Sequence, residues 1–420
     1  MAGIPYFESE IPVSKDSKHK QARNSARSGP RRFKIKHDTI ALLEGDLLRR
    51  IRAQEGLSRV ELARDLNLAP STVGIYVDHL IEEEFLSESK RVGSEFGRPP
   101  TGLALNPLGG RFIGVDFEAR NIRATAVDFS QKPLKQYHGT ITAADSVEVI
   151  LVKIEHSINE VLSEDRRRVL AIGVGVPGVI DPVHGVARQY KHIRGWSHIP
   201  MAQQLSQRFG VPVFLENNIR SMALAELWFG QGRGLEDFIC LGMRSGIGAG
   251  IIVDGHLYHG SNNLAGEIGD WPCADGESGA GVSTLEEIAS LRGIRAALAS
   301  NGAAQLAAEG EEFRVEHWVK AAQEGDEMVR ILLDRVAKKL GLVISQLNRA
   351  FNPGKIILAG AFPALGGIFL DRLRECFQEA SRSADLPPLA VSDLGEFNGA
   401  IGAAALAVHK WKPGTEMPKD

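Results

Sequence analysis

The sequence predicts an α/β protein that begins with a helix-turn-helix. Two patterns predict this fold class: two short helices joined by a tight turn over residues 58–86, and alternating strands and helices beyond residue 110. Alternation of this kind is typical of folds that bind ligands near the carboxyl ends of their strands. With 420 residues, the chain has room for a small N-terminal domain and one or two larger lobes.

The first pattern has the spacing of a helix-turn-helix. Ser58 and Glu61 form a capping box at the start of one helix, and Pro70 stands in the first turn of the next, where a proline is tolerated. A further helix is predicted over residues 46–54. Apolar residues repeat at helical spacing in the pair: Leu62 and Leu66 in the first helix, and Val73, Val77, Leu80 and Ile81 in the second.

The second helix of the pair carries side chains that lie off its apolar stripe. In a DNA-binding helix-turn-helix, such side chains reach base edges in the major groove. The predicted DNA-binding residues of this helix are Ser71, Thr72, Ile75 and Tyr76. An ordinary helical hairpin is the alternative, but the capping box, the short turn and the preceding helix favour DNA binding.

A basic segment rich in glycine and proline follows the helix pair. Residues 87–107 have the composition of the wing in a winged helix-turn-helix. In a wing, Lys90, Arg91 and Arg98 would face phosphates or the minor groove of DNA. A solvated linker is the alternative.

Charge is concentrated at the N-terminus. The formal net charge of the chain is −3, whereas residues 1–37 carry nine Lys or Arg against three acidic residues. These residues lack apolar periodicity, so we predict a disordered basic tail. The tail would add salt-sensitive phosphate contacts, serve only as a solubilising tail, or belong in part to a misannotated start.

Cysteine usage and hydropathy exclude other classes of protein. Cys240, Cys273 and Cys376 stand far apart and form neither a disulfide framework nor a CxxC metal pair. The N-terminus lacks the continuous apolar core of a secretory signal, and no apolar run is long enough to span a membrane. We therefore expect a cytoplasmic protein.

The region beyond residue 110 alternates between strands and helices. Its strands are predicted at RFIGVDF (111–117), NIRATAVDF (121–129), AIGVGV (171–176), VFLE (213–216) and KIILAG (355–360). Its helices are predicted over residues 146–162, 221–229, 284–299, 326–350 and 367–380.

These segments carry a family resemblance. The order of DFEARNIRATAVD, GVPGVIDPVHGV, VPVFLENN, SGIGAGIIVDGHLYHG and NPGKIILAGA resembles the ROK family of repressors, open reading frames and sugar kinases. The similarity covers about residues 40–410 and is strongest to the branch of xylose and N-acetylglucosamine repressors. It implies a winged helix-turn-helix followed by a two-lobed domain similar to actin and hexokinase. The implied domains are a tail (1–37), the DNA-binding domain (38–107), the ROK effector domain (110–412) and a second tail (413–420).

The chain departs from the family in the part that binds ATP. Family kinases follow an Asp with a glycine-rich turn, whose backbone amides approach phosphates closely. Here Asp116 is kept, but Phe117, Glu118, Ala119 and Arg120 occupy the turn, and Glu118 would repel a phosphate. A second glycine-rich segment at residues 246–250 remains, although its glycines can equally serve a tight hairpin.

A second departure removes the catalytic base. The family places its catalytic Asp after Glu-Asn, and this chain reads Glu216-Asn217-Asn218. An amide at Asn218 hydrogen-bonds a sugar hydroxyl but cannot accept its proton. We therefore expect no catalytic residue, no cofactor and no kinase activity. The alternative is a ROK sugar kinase with an appended DNA-binding domain.

The sugar-binding residues that the resemblance implies are partly retained. Amides and carboxylates that exchange hydrogen bonds with adjacent hydroxyls are suited to bind a polyol. Asp270 stands where the family has a histidine that contacts both sugar and zinc, and Gly178 would line the site. The candidate effector-binding residues are Asn217, Asn218, Glu267, Asp270 and Glu286.

The zinc site of the family is not expected here. That site combines a histidine with three closely spaced cysteines. In this chain Cys273 stands alone, and scattered residues such as His192, His256 and His259 have no ligand spacing. We therefore predict no metal.

Together, these features predict a transcriptional repressor of carbohydrate genes. Its partners would be operator DNA and a sugar or phosphosugar effector, with two half-sites bound by a homodimer. A DNA-bound protein that no longer senses small molecules is a further alternative.

Overall fold

The computed structural model describes residues 34–90, 101–118, 120–163, 165–274, 282–301, 303, 306, 315–383 and 385–415. Arg91, Arg98 and Ala119 lie outside the described residues, as do residues 1–33 and 416–420 of the two predicted tails. The backbone of Lys90 is described, but its side chain is not. The DNA contacts predicted for Lys90, Arg91 and Arg98 in the wing therefore stay predictions.

The N-terminal part consists of three helices and an antiparallel ribbon. Helix α1 (Lys34–Ala53) is followed by α2 (Arg59–Asp65) and α3 (Pro70–Glu82). Strand β1 (Leu86–Lys90) then pairs with β2 (Thr101–Leu105). The structure thus has the predicted helix pair with a two-stranded ribbon directly after it.

Helix α1 corrects two predictions. It begins at Lys34, well before the expected start at residue 46, and so includes residues 34–37 of the predicted disordered tail. The apolar residues Ile40, Leu43 and Leu47 continue the helical spacing toward the N-terminus. The charge count of the tail obscured this periodicity.

The α2–α3 turn forms as the sequence predicts. Ser58 and Glu61 make both hydrogen bonds of the capping box. Asn67 takes a left-handed conformation (φ 53°), which asparagine tolerates better than most residues and which allows the chain to turn sharply. Val73, Val77 and Leu80 of α3 are buried, and Ile81 packs partly against the same core. The apolar stripe of α3 therefore faces inward.

The first lobe, residues 111–217, is built on a five-stranded sheet in the order β10-β6-β3-β4-β5. A small three-stranded sheet, β7-β8-β9, lies beside it. The strands are β3 (Arg111–Phe117), β4 (Asn121–Asp128), β5 (Pro133–Thr140), β6 (Val169–Val176), β7 (Val179–Asp181), β8 (Val186–Gln189), β9 (Ser197–Ile199) and β10 (Val213–Asn217), and the helices are α4 (Val147–Leu162) and α5 (Met201–Phe209).

The second lobe, residues 238–391, repeats this topology in its main sheet, ordered β13-β12-β11-β16-β17. In each sheet two parallel neighbours lie on one side of the first strand and an antiparallel meander on the other. Its strands are β11 (Phe238–Met243), β12 (Ile247–Val253), β13 (His256–Leu257), β14 (Pro272–Ala274), β15 (Val282–Thr284), β16 (Lys355–Gly360) and β17 (Leu389–Val391), and its helices are α7 (Leu285–Ala289), α8 (Leu291–Ser300), α9 (Val315–Gln323), α10 (Glu327–Phe351) and α11 (Gly366–Ser381).

Two helices pack together between the lobes. Helix α6 (Asn218–Phe229) contacts strands of both sheets, and α12 (Asn398–Lys410) packs on α6 and on the first sheet. Helix α12 consists mostly of small residues, and a Cβ at Gly402 would come within 1.7 Å of the Ser221 carbonyl oxygen. Such close packing brings the carboxyl ends of the strands in both lobes to one cleft.

The boundaries of two predicted helices are wrong. Helix α6 starts at Asn218 instead of Ser221, because Asn217 caps it. The helix predicted over residues 284–299 is divided into α7 and α8 at Ser290, which is extended and caps α8 through its hydroxyl. Serine competes for backbone donors in this way, which favours a helix start over a helix interior.

The N-terminal part shares a hydrophobic core with the first lobe. Phe85 lies between the rings of Phe129 and Trp411, with centroid distances of 5.0 and 5.2 Å. Arg52 donates to the Val408 carbonyl oxygen at the end of α12 and lies over the Phe129 ring. The helix-turn-helix is therefore packed directly on the lobe.

No helix among the described residues has the length and apolarity that a membrane crossing requires.

Candidate functional site

A cleft between the lobes encloses about 260 Å³, close to the lower end of the range for small-ligand sites, about 300 Å³. Its walls include the predicted residues Asn217, Asn218, Glu267, Asp270 and Glu286, together with Gly178. The structure thus brings all five candidate effector-binding residues to one cavity. They come from β10, α6, α7 and the segment that precedes β14.

Asn217 and Asn218 stand where β10 leads into α6. Asn217 caps the helix, since its side-chain oxygen accepts from the Ile219 and Arg220 amides, and its amide donates to the Gly178 carbonyl oxygen at 3.0 Å. Asn218 is buried, and its amide donates weakly to the Phe117 carbonyl oxygen at 3.4 Å. Asn217 therefore shapes the site, while Asn218 keeps hydrogen-bonding capacity for a ligand.

Glu216 is committed to the interior. Its carboxylate accepts from the Arg220 guanidinium and from the His259 ring, each at 2.7 Å, and Glu216 and Arg220 are almost fully buried. Burial opposes ionisation of Glu216, but the bonds and charges of these two partners outweigh it and lower the carboxyl pKa. This pair holds the start of α6 in place.

Glu267 is a carboxyl group of the cleft whose pKa is raised by its surroundings. Burial raises its pKa to about 7, and the charge of Arg220 offsets this only partly. A carboxyl that titrates near neutrality is able to donate as well as accept a hydrogen bond. Glu267 is therefore suited to bind a hydroxyl or a carbonyl of a ligand.

Glu286 is surrounded by cationic side chains. Its Oε1 lies 2.9 Å from the Lys191 Nζ, 3.3 Å from the His192 Nε2 and 2.8 Å from the Arg292 guanidinium. Burial opposes ionisation, but these partners lower the pKa of Glu286 to about 2. Asp270 is exposed and lies 3.6 Å from the same Lys191 nitrogen. Lys191 thus connects two of the predicted effector-binding carboxylates.

The other half of the cleft contains a buried ion pair between the lobes. Asp116, at the end of β3, accepts a short hydrogen bond from Arg244, which follows β11. Arg244 also donates to the Asn398 side chain at 3.2 Å, at the first turn of α12. All three residues are buried. The two lobes and α12 therefore meet at one guanidinium.

Glu118 makes a second contact between the lobes. Its Oε2 accepts from both the backbone amide and the hydroxyl of Ser245, at 3.2 and 2.9 Å, and its Oε1 accepts from the Asn121 amide. Burial opposes ionisation of Glu118, but Arg244, Arg123 and the Ser245 hydrogen bonds together lower its pKa. Glu118 is thus a buried carboxylate bound to a backbone amide of the other lobe.

The glycine-rich segment at residues 246–250 serves packing. It starts β12, which pairs antiparallel with β11. A Cβ at Gly250 would lie 2.3 Å from the Ala223 side chain of α6, so only glycine permits this approach. The hairpin alternative from the sequence therefore describes this segment well.

The exposed side of α3 lies opposite its buried stripe. Ile75 is 68% exposed and Ser71 is exposed, whereas Thr72 is half-buried and Tyr76 packs partly against the core. Arg59 of α2 holds α3 and β1 together through ion pairs with Asp78 at 2.6 Å and Glu88 at 2.8 Å. Of the four residues predicted to contact DNA, Ser71 and Ile75 therefore lie on the exposed side of this helix, and Thr72 and Tyr76 are partly buried.

Comparison with known proteins identifies the family. Residues 112–410 match the ROK family. The chain belongs to the ROK family. The predicted actin-like α/β fold of the effector domain is thereby confirmed. A crystal structure of a ROK family transcriptional regulator, described as a homologue of the E. coli MLC protein, is similar in fold with a TM-score of 0.73 and 23% identity, covering 88% of this chain and 97% of that one.

The sequence relatives of this ROK chain include repressors and kinases. It is 28% identical to the xylose repressor of Caldicellulosiruptor bescii, over 84% of this chain and 92% of the relative. It is 29% identical to the DNA-binding transcriptional dual regulator NagC of Escherichia coli, over 88% and 93%. The glucokinase of Thermotoga maritima is 30% identical, over 70% and 96%.

The extent of these matches separates the two groups. Only ten residues follow the ROK match at the C-terminal end of the chain. The alignment with NagC covers 88% of the chain, so it has to include much of the N-terminal part as well. The alignment with the glucokinase covers 70% of the chain, about the same part of the chain length as the ROK match. The prediction of a regulator is therefore favoured over the kinase alternative.

The family resemblance also bears on nucleotide and zinc. It places the nucleotide phosphates beside the turn after Asp116, and there the Glu118 carboxylate and the Arg244 guanidinium are bound to each other's lobes. By the same resemblance, Asn218 stands at the position of the family's catalytic Asp. Among the described ranges, no three His, Cys, Asp or Glu side chains come together as a metal site requires. Cys273 lies on the β14–β15 ribbon, opposite Ser283.

Several residues of this site carry no motif in the sequence. Lys191 is 95 positions from its partner Glu286, whereas Arg292 is only six positions away, so the spacing of Arg292 from Glu286 is a local signal that could have identified it. A charged residue directly before a glycine-rich hairpin could have drawn attention to Arg244. Glu118 was singled out for repelling phosphate, but its bond to Ser245 could not be foreseen.

Proposed function

We propose that this ROK chain is a transcriptional repressor of carbohydrate genes that binds operator DNA and responds to a sugar or phosphosugar. The observation that carries the proposal is Asn218 in place of a catalytic Asp, in a chain that begins with a helix-turn-helix. The names of the xylose repressor and NagC, which match across most of the chain, support the same function. The chain has kept a ligand cleft and lost the general base.

In this proposal, residues 38–107 form a winged helix that binds DNA. Helix α3 would enter the major groove with Ser71, Thr72, Ile75 and Tyr76, and the ribbon would bring Lys90, Arg91 and Arg98 to the backbone or minor groove. Two such modules in a homodimer would bind two half-sites, since one module rarely reaches sufficient affinity and specificity.

Residues 110–412 form the effector domain in this proposal. Asn218, Glu267 and Glu286 would bind the hydroxyls of the sugar, with Asp270 at the rim and Asn217 shaping the wall. The Lys191 ammonium already contacts the Glu286 and Asp270 carboxylates. A hydroxyl of the effector therefore has to displace Lys191 from these carboxylates or bind to them beside it. Binding would then change how the lobes approach each other, by differential affinity for two states.

Selection of genomic fragments by the purified protein tests the DNA-binding part. We expect enrichment of a few promoters beside carbohydrate genes, with affinity falling as salt rises. Ile75→Ala should weaken binding to the best fragment about tenfold, because it removes apolar groups worth ~1–2 kcal/mol when they are buried against a base. Val152→Ala, at an equally exposed residue of α4, is the matched control and should leave binding unchanged. Uniform binding to all fragments would contradict the proposal.

A thermal-shift screen of sugars and phosphosugars tests the effector part. A ligand that binds the native state raises the melting temperature. Glu267→Ala should remove this shift and the response of operator binding to the same sugar, while operator binding itself remains. A Glu267→Ala protein that still responds would remove Glu267 from the site.

A further inference from the structure

The part of the cleft around Asp116, where the family resemblance places the nucleotide, contains an anionic and a cationic side chain arranged like a phosphate and its counter-charge. In a phosphate site, an anionic oxygen accepts hydrogen bonds from backbone amides and hydroxyls, and cationic side chains balance its charge. Here the Glu118 carboxylate accepts from the Ser245 amide and hydroxyl, at 3.2 and 2.9 Å. Arg244 supplies a buried positive charge next to it and bonds to Asp116.

We propose that Glu118 and Arg244 act as a built-in substitute for the nucleotide, holding the two lobes together in the absence of any bound phosphate. We call the set Asp116, Glu118, Arg244 and Ser245 the interlobe clasp. Asp116 and Glu118 belong to the first lobe, and Arg244 and Ser245 belong to the second. The bond between Asp116 and Arg244 and the bonds between Glu118 and Ser245 therefore all cross from one lobe to the other.

Burial and charge support an internal role for the clasp. Asp116, Glu118 and Arg244 are each at most 8% exposed. Burial raises the pKa of Asp116 in spite of the neighbouring Arg244 charge, which shows how costly a buried carboxylate is here. Separating the lobes would take the Arg244 guanidinium away from Asp116 and Glu118 and leave these groups without their partner. Burial by itself would lower the pKa of Arg244, but the charges of Asp116 and Glu118 raise it, so the guanidinium stays charged.

The clasp also fixes the start of α12. Arg244 donates to Asn398 in the first turn of that helix, and a Cβ on the next residue, Gly399, would lie 2.5 Å from the Asp116 carboxyl carbon. Near the other end of α12, the Val408 carbonyl oxygen accepts from Arg52 of α1, and Trp411, directly after the helix, packs on Phe85 between α3 and β1. The clasp therefore lies at one end of α12, and the N-terminal part of the chain contacts the region at its other end.

The proposal goes beyond the proposed function and does not depend on it, because it concerns lobe closure without DNA or sugar. It is tested by measuring the distance between spin labels at Val183→Cys in the first lobe and Ile368→Cys in the second. Both positions are exposed, and Cys273→Ser leaves only the buried Cys240 and Cys376. We expect one narrow distance distribution in the parent and a broader, longer one in Glu118→Gln and in Arg244→Met.

A matched control breaks an ion pair inside one lobe. Arg372 of α11 bonds to Asp334 of α10 at 2.7 Å, and Arg372→Met should leave the distance distribution unchanged. Because Arg244→Met leaves a buried Asp116 unpaired and can prevent folding, Asp116→Asn/Arg244→Met and Ser245→Ala serve as second variants. Distributions identical to the parent in all folded clasp variants would overturn the proposal.

Hydrogen exchange and pyrophosphate binding provide independent readouts. The Ser245 amide should exchange about tenfold faster in Glu118→Ala than in the parent, because its acceptor is lost. Inorganic pyrophosphate with Mg²⁺ at millimolar concentration should not raise the melting temperature of the parent. Stabilisation by pyrophosphate that disappears in Ser245→Pro would show an open phosphate site, and it would also overturn the proposal.

Discussion

Lys191 of the first lobe lies against Glu286 of the second, with 2.9 Å between the ammonium nitrogen and a carboxylate oxygen. His192 and Arg292 approach the same oxygen. The part of the cleft at Glu286 is therefore bridged by charges, as the part at Asp116 is by Arg244. Both parts hold the lobes together, but only the bridge at Glu286 is formed by partly exposed side chains that a ligand is able to displace.

Glu286→Gln should destabilise the protein at neutral pH. The carboxyl pKa is lowered to about 2, so its stabilisation is present above the unfolded value of 4.5 and is lost as the pH falls toward 2. We expect a loss of about 1–3 kcal/mol in the free energy of unfolding at pH 7, shrinking below pH 4.5. Urea unfolding at several pH values measures this. Glu324→Gln, in an exposed pair with Lys320, should cost at most about 0.5 kcal/mol.

Glu267→Gln should have the opposite dependence on pH. The pKa of Glu267 is raised to about 7, because the folded protein favours the neutral carboxyl. The contribution of this group to the free energy of unfolding is therefore complete below the unfolded pKa of 4.5 and is lost as the pH rises through 7. The variant should therefore exceed the parent in stability by about 1–3 kcal/mol at pH 8 and match it below pH 4.5. A constant difference between pH 8 and pH 5 would show that Glu267 does not titrate in this range.

Asn218→Asp should not create a sugar kinase. The substitution places a carboxylate where the resemblance puts the family's base, but Glu118 and Arg244 remain bound to Ser245 and Asp116 beside the turn after β3. We expect no ADP release with ATP and sugars above that of Glu216→Ala, measured by a coupled assay. Turnover in the unsubstituted chain would instead support the alternative of a kinase with an appended DNA-binding domain.

Trp411→Ala should loosen the N-terminal helices from the first lobe. The ring contacts Phe85, Phe112 and Phe129 at 5.2–5.9 Å between centroids. Its removal should cost about 3–5 kcal/mol and expose residues near α1 to proteolysis before the rest of the chain. Trp318→Ala, equally buried in the second lobe, should leave protection of α1 unchanged. Identical cleavage patterns in the two variants would contradict this role for Trp411.

Local sequence patterns predicted much of the fold. The capping box at Ser58, the Pro70 start of α3 and the strands at residues 111–117 and 355–360 all form as expected. Each of these depends on residues within one or two turns or on the alternation within one strand. The early start of α1 and the break at Ser290 differ from the prediction, because the basic composition of residues 1–37 favours disorder and the apolar spacing continues across Ser290, which caps α8.

The sequence by itself determined the family of the protein and predicted that it has no kinase activity. The order of the ROK motifs, the helix-turn-helix spacing and Asn218 in place of an Asp are all visible without coordinates. Tertiary structure alone decided which charges meet. Asp116 and Arg244 are separated by 128 residues, and His192 and Glu286 by 94. The physical reason is that burial and ion pairing depend on three-dimensional distance, which the packing of two lobes around α6 and α12 creates and no local pattern encodes.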